Sequence, residues 1–221
     1  MPGVIFWDVD TQYDFMHSDG KLYVPGAEQL IPALAALTEH AHHVGIRIVA
    51  SADDHVAEHA EISDDPDFVD TFPPHCIHGS PGQQKIPETT LRDPLIIEPT
   101  REDPVELKNR VREHDGDVLF HKHRFDVFSN PNVQPVLEEL DPHVVVVYGV
   151  ALDVCNRYAI DGLLARCPST RLHLVTDATK PIQLNQADRL LTEWEGRGVG
   201  LISSAKALEL NPNSTMGPER E

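Results

Sequence analysis

Cys155 ends the stretch Val144-Val145-Val146-Val147-Tyr148-Gly149-Val150-Ala151-Leu152-Asp153-Val154-Cys155, a place where a thiol has chemical use. The run before Gly149 is β-branched with no polar alternation, the pattern of a strand buried on both faces. Beyond the turn, Ala159, Ile160, Leu163 and Leu164 recur at helical spacing. Cys155 therefore falls where a strand turns into a helix. The first N–H groups of a helix have no intrahelical partners and carry partial positive charge. They favour a thiolate and can hold a developing oxyanion, which makes Cys155 a candidate nucleophile. The same residue also fits a small buried hydrophobe, the usual place of a lone cysteine.

Three other reactive side chains share its setting. Asp10, Asp53 and Lys122 each fall at or just past the carboxyl end of a predicted strand. Taken singly they have plainer uses. Asp10 fits a helix cap, and Lys122, beside His121, His123 and Arg124, fits a solvated basic patch. Together they place four reactive groups on one rim.

The elements that must build that rim alternate. Strands are expected at residues 4–10, 46–51, 95–98, 118–122, 144–148, 172–177 and 199–203. Helices are expected at 27–44, 105–114, 133–140, 156–166 and 182–194. This order predicts an α/β fold: three layers, α/β/α, around a central, mostly parallel sheet. Ligands bind such sheets beyond the carboxyl ends of the strands. Residues 52–93 show no regular pattern, and a loop of that length in a compact domain is usually functional or disordered. Its interspersed Phe68, Phe72 and Ile86 favour function.

Composition sets the bounds. The chain has 221 residues and a formal net charge of −18, with 36 acidic residues against 18 lysines and arginines. A nucleic-acid or anionic-membrane partner would need a basic face. No apolar stretch reaches membrane-spanning length. The N-terminus lacks a basic region followed by an apolar one, and Cys76, Cys155 and Cys167 form no paired spacing. The expectation is a cytoplasmic protein with one domain over residues 1–210 and a polar tail over 211–221. Of the 13 histidines, His40, His42 and His43 lie near a helix end and read as surface residues.

The motifs resemble a known superfamily. Asp10-Thr11-Gln12-Tyr13-Asp14-Phe15 resembles the D-x-Q-x-D-F opening of the isochorismatase-like cysteine hydrolases. Lys122-His123-Arg124-Phe125-Asp126-Val127-Phe128 resembles their lysine loop, and Gly149 to Cys155 their nucleophile turn. Asp53-Asp54-His55 followed by His75-Cys76-Ile77-His78-Gly79-Ser80-Pro81-Gly82 is similar to the nicotinamidase/pyrazinamidase branch, D-x-H then H-C-x-x-G-[ST]-P-G.

The resemblance implies an isochorismatase-like, Rossmann-type fold and hydrolysis of nicotinamide or a close heteroaromatic amide, within NAD salvage. It implies catalysis by Asp10, Lys122 and Cys155, an oxyanion hole from the N–H groups of Ala151 and Cys155, and a cis Val150–Ala151 peptide. Phe15, Phe72 and Val150 are expected against the substrate. Asp53, His55 and His75 are expected to hold one divalent metal ion, zinc first, with manganese or iron as alternatives. His59 is either a fourth ligand to that ion or a partner of its ligands. Cys76 is implied to be structural and His78 a loop residue. Family members are often dimers or larger, so a homo-oligomer is expected. The alternatives are an amidase for another small amide or N-carbamoyl compound, and a non-catalytic ligand-binding relative.

Two positions depart from the pattern. Asp54 stands where nicotinamidases usually carry Trp or Phe, which would put a charge near the pocket or beside the metal. Leu152 replaces a common threonine, which would remove a hydroxyl near the oxyanion hole.

Overall fold

The structure is a computed structural model that describes residues 3–214. Most of the expected C-terminal tail, from residue 215 on, lies outside the described residues. Seven strands form one sheet: β1 (Val4–Val9), β2 (Arg47–Asp53), β3 (Leu95–Ile97), β4 (Val118–Lys122), β5 (Val144–Val150), β6 (Arg171–Lys180) and β7 (Gly200–Ile202). Their order is β3-β4-β2-β1-β5-β6-β7, and every pairing is parallel.

The helices are α1 (Tyr13–Met16), α2 (Ile31–Val44), α3 (Pro104–Glu113), α4 (Val133–Leu140), α5 (Cys155–Arg166), α6 (Leu184–Gly196) and α7 (Ser204–Ala207). The expected helix at 27–44 begins as a 3-10 turn, Ala27–Leu30, because Pro32 has no N–H to donate inside an α-helix and fits only its first turn. The four-residue α1 and α7 have no legible period at that length. β6 runs to Lys180, past the polar Thr176 and Asp177 that ended the expected strand.

Side chains alternate across a strand, so each central strand feeds both faces of the sheet. Ile5, Trp7, Val9, Val145 and Val147 enter one core, with Leu107 and Val111 of α3, Val136 and Leu140 of α4, Ala159 and Leu163 of α5, and Trp194 of α6. Val4, Phe6, Val144, Val146 and Tyr148 enter the other, with Leu34, Leu37 and Ala41 of α2 and Ala207 of α7. Strands buried on both faces explain why β5 is a continuous apolar run and β1 is one broken only by Asp8. Each such fully buried side chain contributes roughly 1.5–3 kcal/mol.

Of the three histidines near the end of α2, only His43 is exposed. His40 stacks on Phe6 at 6.4 Å, and His42 Nε2 lies 2.8 Å from the buried Asp117 carboxylate. Their reading as surface residues is corrected for those two. Asp117 needs partners there, since its carboxylate also accepts from the Ile48 and Arg92 N–H groups.

Candidate active site

The chain leaves β1 toward β2 on one side of the sheet and later builds β5 and β6 on the other, so the strand order switches direction at β1. Parallel sheets open a crevice at such a point. β1 ends into Asp10, β2 ends at Asp53, β4 ends at Lys122, and β5 ends just before the turn to Cys155. Asp53 and Lys122 are register partners on adjacent strands.

The rim is closed and charged. Lys122 is fully buried. Its Nζ lies 2.9 Å from Asp10 Oδ2, donates to Asp53 Oδ1, and is 3.7 Å from Cys155 Sγ. The solvated-patch alternative for Lys122 is therefore excluded. Ser51 Oγ donates to Asp10 Oδ1 at 2.7 Å. Asp10 Oδ2 receives no aligned hydrogen bond, since Nζ is near but off its line. Asp10 itself has φ 49°, a left-handed conformation uncommon outside glycine.

Burial pushes the lysine toward losing its proton, but Asp10 and Asp53 outweigh it and hold the ammonium well above its usual value. Burial raises Asp53 as well, and Lys122 overrides it, leaving that carboxyl well below the usual range. Burial raises Asp10, against the pull of Lys122 and with added repulsion from Asp53. Burial also pushes the Cys155 thiol well above its usual value, and Lys122 does not offset burial together with the two carboxylates. Burial and the two carboxylates thus oppose the thiolate that the helix start and Lys122 favour, and Asp10 offers the thiol an acceptor oxygen.

The nucleophile turn is held from below. Gly149 has φ 111°, and a Cβ there would collide with the Val9 carbonyl. The Val150–Ala151 peptide is cis. Asn156 Nδ2 donates to Gly149 O and Thr179 Oγ1, both at 2.8 Å. The Asp153 carboxylate accepts from Ile182 and Gln183 N–H at 2.8 Å, tying the turn to the segment before α6. Leu152 is buried in the core cluster that includes Cys155, so its side chain packs below the turn and offers nothing at an oxyanion site.

Beside this rim, Asp53, His55 and His75 bring one donor atom each within 4.8 Å of one another. Asp53 Oδ2 is 3.9 Å from His55 Nε2 and 3.6 Å from His75 Nε2. His55 Nε2 is buried with no hydrogen-bond partner among the described residues, an orphan that a cation would satisfy. His75 Nδ1 bonds Pro73 O at 2.8 Å, which makes Nδ1 the N–H and leaves Nε2 as an acceptor. The residues fit a divalent ion with mixed oxygen and nitrogen donors. His59 is not in this set. Its Nδ1 is 3.3 Å from His55 Nδ1, and its ring lies 3.9 Å from that of His123.

Within the opening motif, Gln12 and Asp14 serve as scaffolding. Gln12 Nε2 donates to the carbonyl of Asp53 at 2.8 Å, and its Oε1 accepts the Asp53 N–H at 2.7 Å. Asp14 Oδ2 accepts the Cys76 N–H at 2.7 Å, which fixes the segment bearing His75. Cys76 is buried, and burial raises its thiol far above the usual value, consistent with a structural residue.

Cys155 faces an apolar cavity of about 50 Å³. Phe15, Phe72 and Val150 line it as expected, and so do Phe125, Leu22 and Ile182, which their sequence positions did not mark. Phe125 sits inside the lysine motif, and its ring meets Phe72 edge-on at 5.0 Å. Asp54 does not line the cavity. It turns the other way, toward His78 and His121, so the expected charge in the pocket is corrected.

Glu61 also carries no mark in the sequence. It is buried, and neither carboxylate oxygen has a hydrogen-bond partner among the described residues. Burial, then Asp53, raise its pKa from 4.5 to about 7. A carboxyl raised on folding contributes stability below its unfolded value that is lost as pH rises through the folded one. Metal-free Glu61→Gln should therefore gain stability over the wild type at about pH 8 relative to about pH 5, by roughly 1–3 kcal/mol. Denaturant melts in chelator would check this. A metal ion beside Asp53 favours the charged form, so the gain should shrink on loading.

Comparison with known proteins agrees with this geometry. Residues 97–206 match the Isochorismatase domain. The nicotinamidase/pyrazinamidase of Mycobacterium tuberculosis is 26% identical over 202 residues, covering 89% of this chain and 97% of that protein. The zinc complex of the Pyrococcus horikoshii pyrazinamidase superposes with a TM-score of 0.71 at 22% identity, over 91% of this chain and 99% of that one. The Bacillus subtilis nicotinamidase/pyrazinamidase gives 0.70 at 17% identity, over 90% and 99%. The matched Isochorismatase domain and these similarities support an isochorismatase-like family for the chain. Among the described residues no helix is long and apolar enough to cross a membrane.

Proposed function

We propose that the protein hydrolyses the carboxamide of nicotinamide, or of a close heteroaromatic amide, to the acid and ammonia through a thioester on Cys155. The observation that carries this reading is the shared ammonium of Lys122. It joins Asp10, Asp53 and Cys155 on one rim, and Asp53 also faces His55 and His75 beside an apolar cavity.

The steps use the atoms present. Asp10 Oδ2 takes the Cys155 proton as sulfur attacks the amide carbon. The N–H groups of Ala151 and Cys155 hold the resulting oxyanion, worth roughly 3–4 kcal/mol per well-placed donor. Asp10 returns the proton to nitrogen, the C–N bond breaks, and ammonia leaves a thioester. Water then loses a proton to Asp10 and attacks the thioester, and the acid departs as the thiol is restored. Lys122 keeps the two carboxylates together and limits the negative charge built beside them. A divalent ion on Asp53, His55 and His75 would grip and orient the substrate ring. Zinc suits that donor set, and the Pyrococcus horikoshii pyrazinamidase was solved in complex with zinc.

The cavity favours a second reading. A narrow apolar cavity suits a smaller amide or N-carbamoyl compound as well as a pyridine ring. Ile182 is half exposed at its rim. Acid quench during turnover on nicotinamide, then peptide mapping, separates the readings. A nicotinoyl group on the Cys155 peptide is expected. Faster turnover of N-carbamoyl compounds, with no nicotinoyl adduct, would favour the smaller substrate.

A further inference from the structure

We propose that Asp54, Glu98 and His121, with His78 at the edge, form a second divalent-cation site, separate from Asp53, His55 and His75. β3, β4 and β2 are neighbours in the sheet. Glu98 follows β3, His121 lies on β4, and Asp54 follows β2, so three adjacent strands deliver donors to one carboxyl edge. Consecutive residues Asp53 and Asp54 turn to opposite sides of the strand end, which keeps the two donor sets apart.

The distances suit a coordinated ion. His121 Nδ1 is 3.0 Å from Glu98 Oε1 and 3.5 Å from Asp54 Oδ2. Donors held about 2.1 Å from one cation lie roughly 3.0–3.5 Å apart in octahedral or tetrahedral arrangements. The three donor atoms all fall within 4.8 Å of one another. His78 Nδ1 sits 2.8 Å from Asp54 Oδ1, whose other neighbour is the Gln83 amide at 2.6 Å.

Charge points the same way. Asp54 is 8% exposed, yet it and Glu98 meet imidazoles as ion partners instead of a lysine or arginine. One Nδ1–H cannot serve two carboxylates well, whereas a cation on the unprotonated nitrogen satisfies all three groups. His78 and His121 also line an open cavity of about 500 Å³, which gives an ion access and room for waters to complete its shell. Mixed imidazole and carboxylate donors fit zinc, manganese or cobalt.

Such an ion would brace the first site from outside. The His78 N–H donates to the His55 carbonyl at 2.8 Å, and the His55 N–H donates to the Cys76 carbonyl at 3.0 Å. Pinning His78 to the ends of β2, β3 and β4 therefore pins the segment that carries His55 and His75.

Zinc titration of metal-free full-length protein, read by calorimetry and by elemental analysis after gel filtration, tests this. The wild type should hold two ions per chain. Glu98→Gln, a change at a mostly exposed side chain, should keep the first ion and bind the second about tenfold or more weakly. An Asp53→Asn/His75→Ala variant should keep the second ion and lose the first. A single ion per chain in the wild type, or a second ion unaffected by Glu98→Gln, would overturn the proposal. If that single ion is lost in the Asp53 and His75 variant, the first site stands without the second.

Discussion

Cys155→Ala is expected to lower kcat on nicotinamide by about 10⁴-fold or more while the protein stays folded. No other group on the rim can supply the attacking atom. Asp10 and Asp53 are engaged with Lys122, and Cys76 is buried and held far toward the neutral thiol. The substitution removes one sulfur from a side chain already 7% exposed, so its stability cost should stay near 1 kcal/mol. Ligand-observed NMR should still detect binding of nicotinamide, because the cavity walls and the Asp53, His55 and His75 set are untouched. A variant that keeps a tenth of wild-type turnover would remove Cys155 from the mechanism.

Lys122→Met should have the largest effect on stability, on the order of 3–5 kcal/mol, because it leaves Asp10 and Asp53 buried without their cation. The loss should depend on pH. In the wild type, Lys122 overrides burial and holds the Asp53 pKa below 3.8, so the ion pair contributes stability above that value and loses it as pH falls through the folded one. Without Lys122 the two carboxyls must take up protons on folding, which is easier in acid. The deficit should be greatest near neutrality and narrow toward about pH 4–5. Asp53→Asn in the same chain should recover part of it. Urea melts of the metal-free single and double variants across pH would show this. A deficit that grows as pH falls would mean the ammonium is not what neutralises the pair.

Much of the fold and site is legible in the sequence because apolar runs and strand-end polar residues carry their own signal. The unbroken run of β5, and that of β1 broken only by Asp8, mark strands buried on both faces, and Asp10, Asp53, Lys122 and Cys155 stand out as the reactive residues at or just past strand ends. The parallel pairing follows from helices between most successive strands, with the long segment from β2 to β3 as the exception. What the chain hides is direction. Asp53 and Asp54 are adjacent and of one type, yet one faces His55 and His75 and the other faces His121. No local pattern tells which way each turns. Glu61 is hidden for a similar reason, as one acid in an acidic loop whose burial depends on how residues 56–72 fold back. The thiol's state cannot be read from helix position either, since it depends on two carboxylates sharing one lysine across four strands. Gln12 and Asp14 are visible as motif letters, but their hold on the Asp53 and Cys76 backbones appears only in three dimensions.

The most direct measurement is ammonia release from nicotinamide by purified protein, before and after metal removal and after zinc is restored. Release should fall on stripping, return with zinc, and be absent in Cys155→Ala. Release unchanged by stripping would contradict a ring held by Asp53, His55 and His75. No release from the zinc-loaded wild type would contradict nicotinamide as substrate.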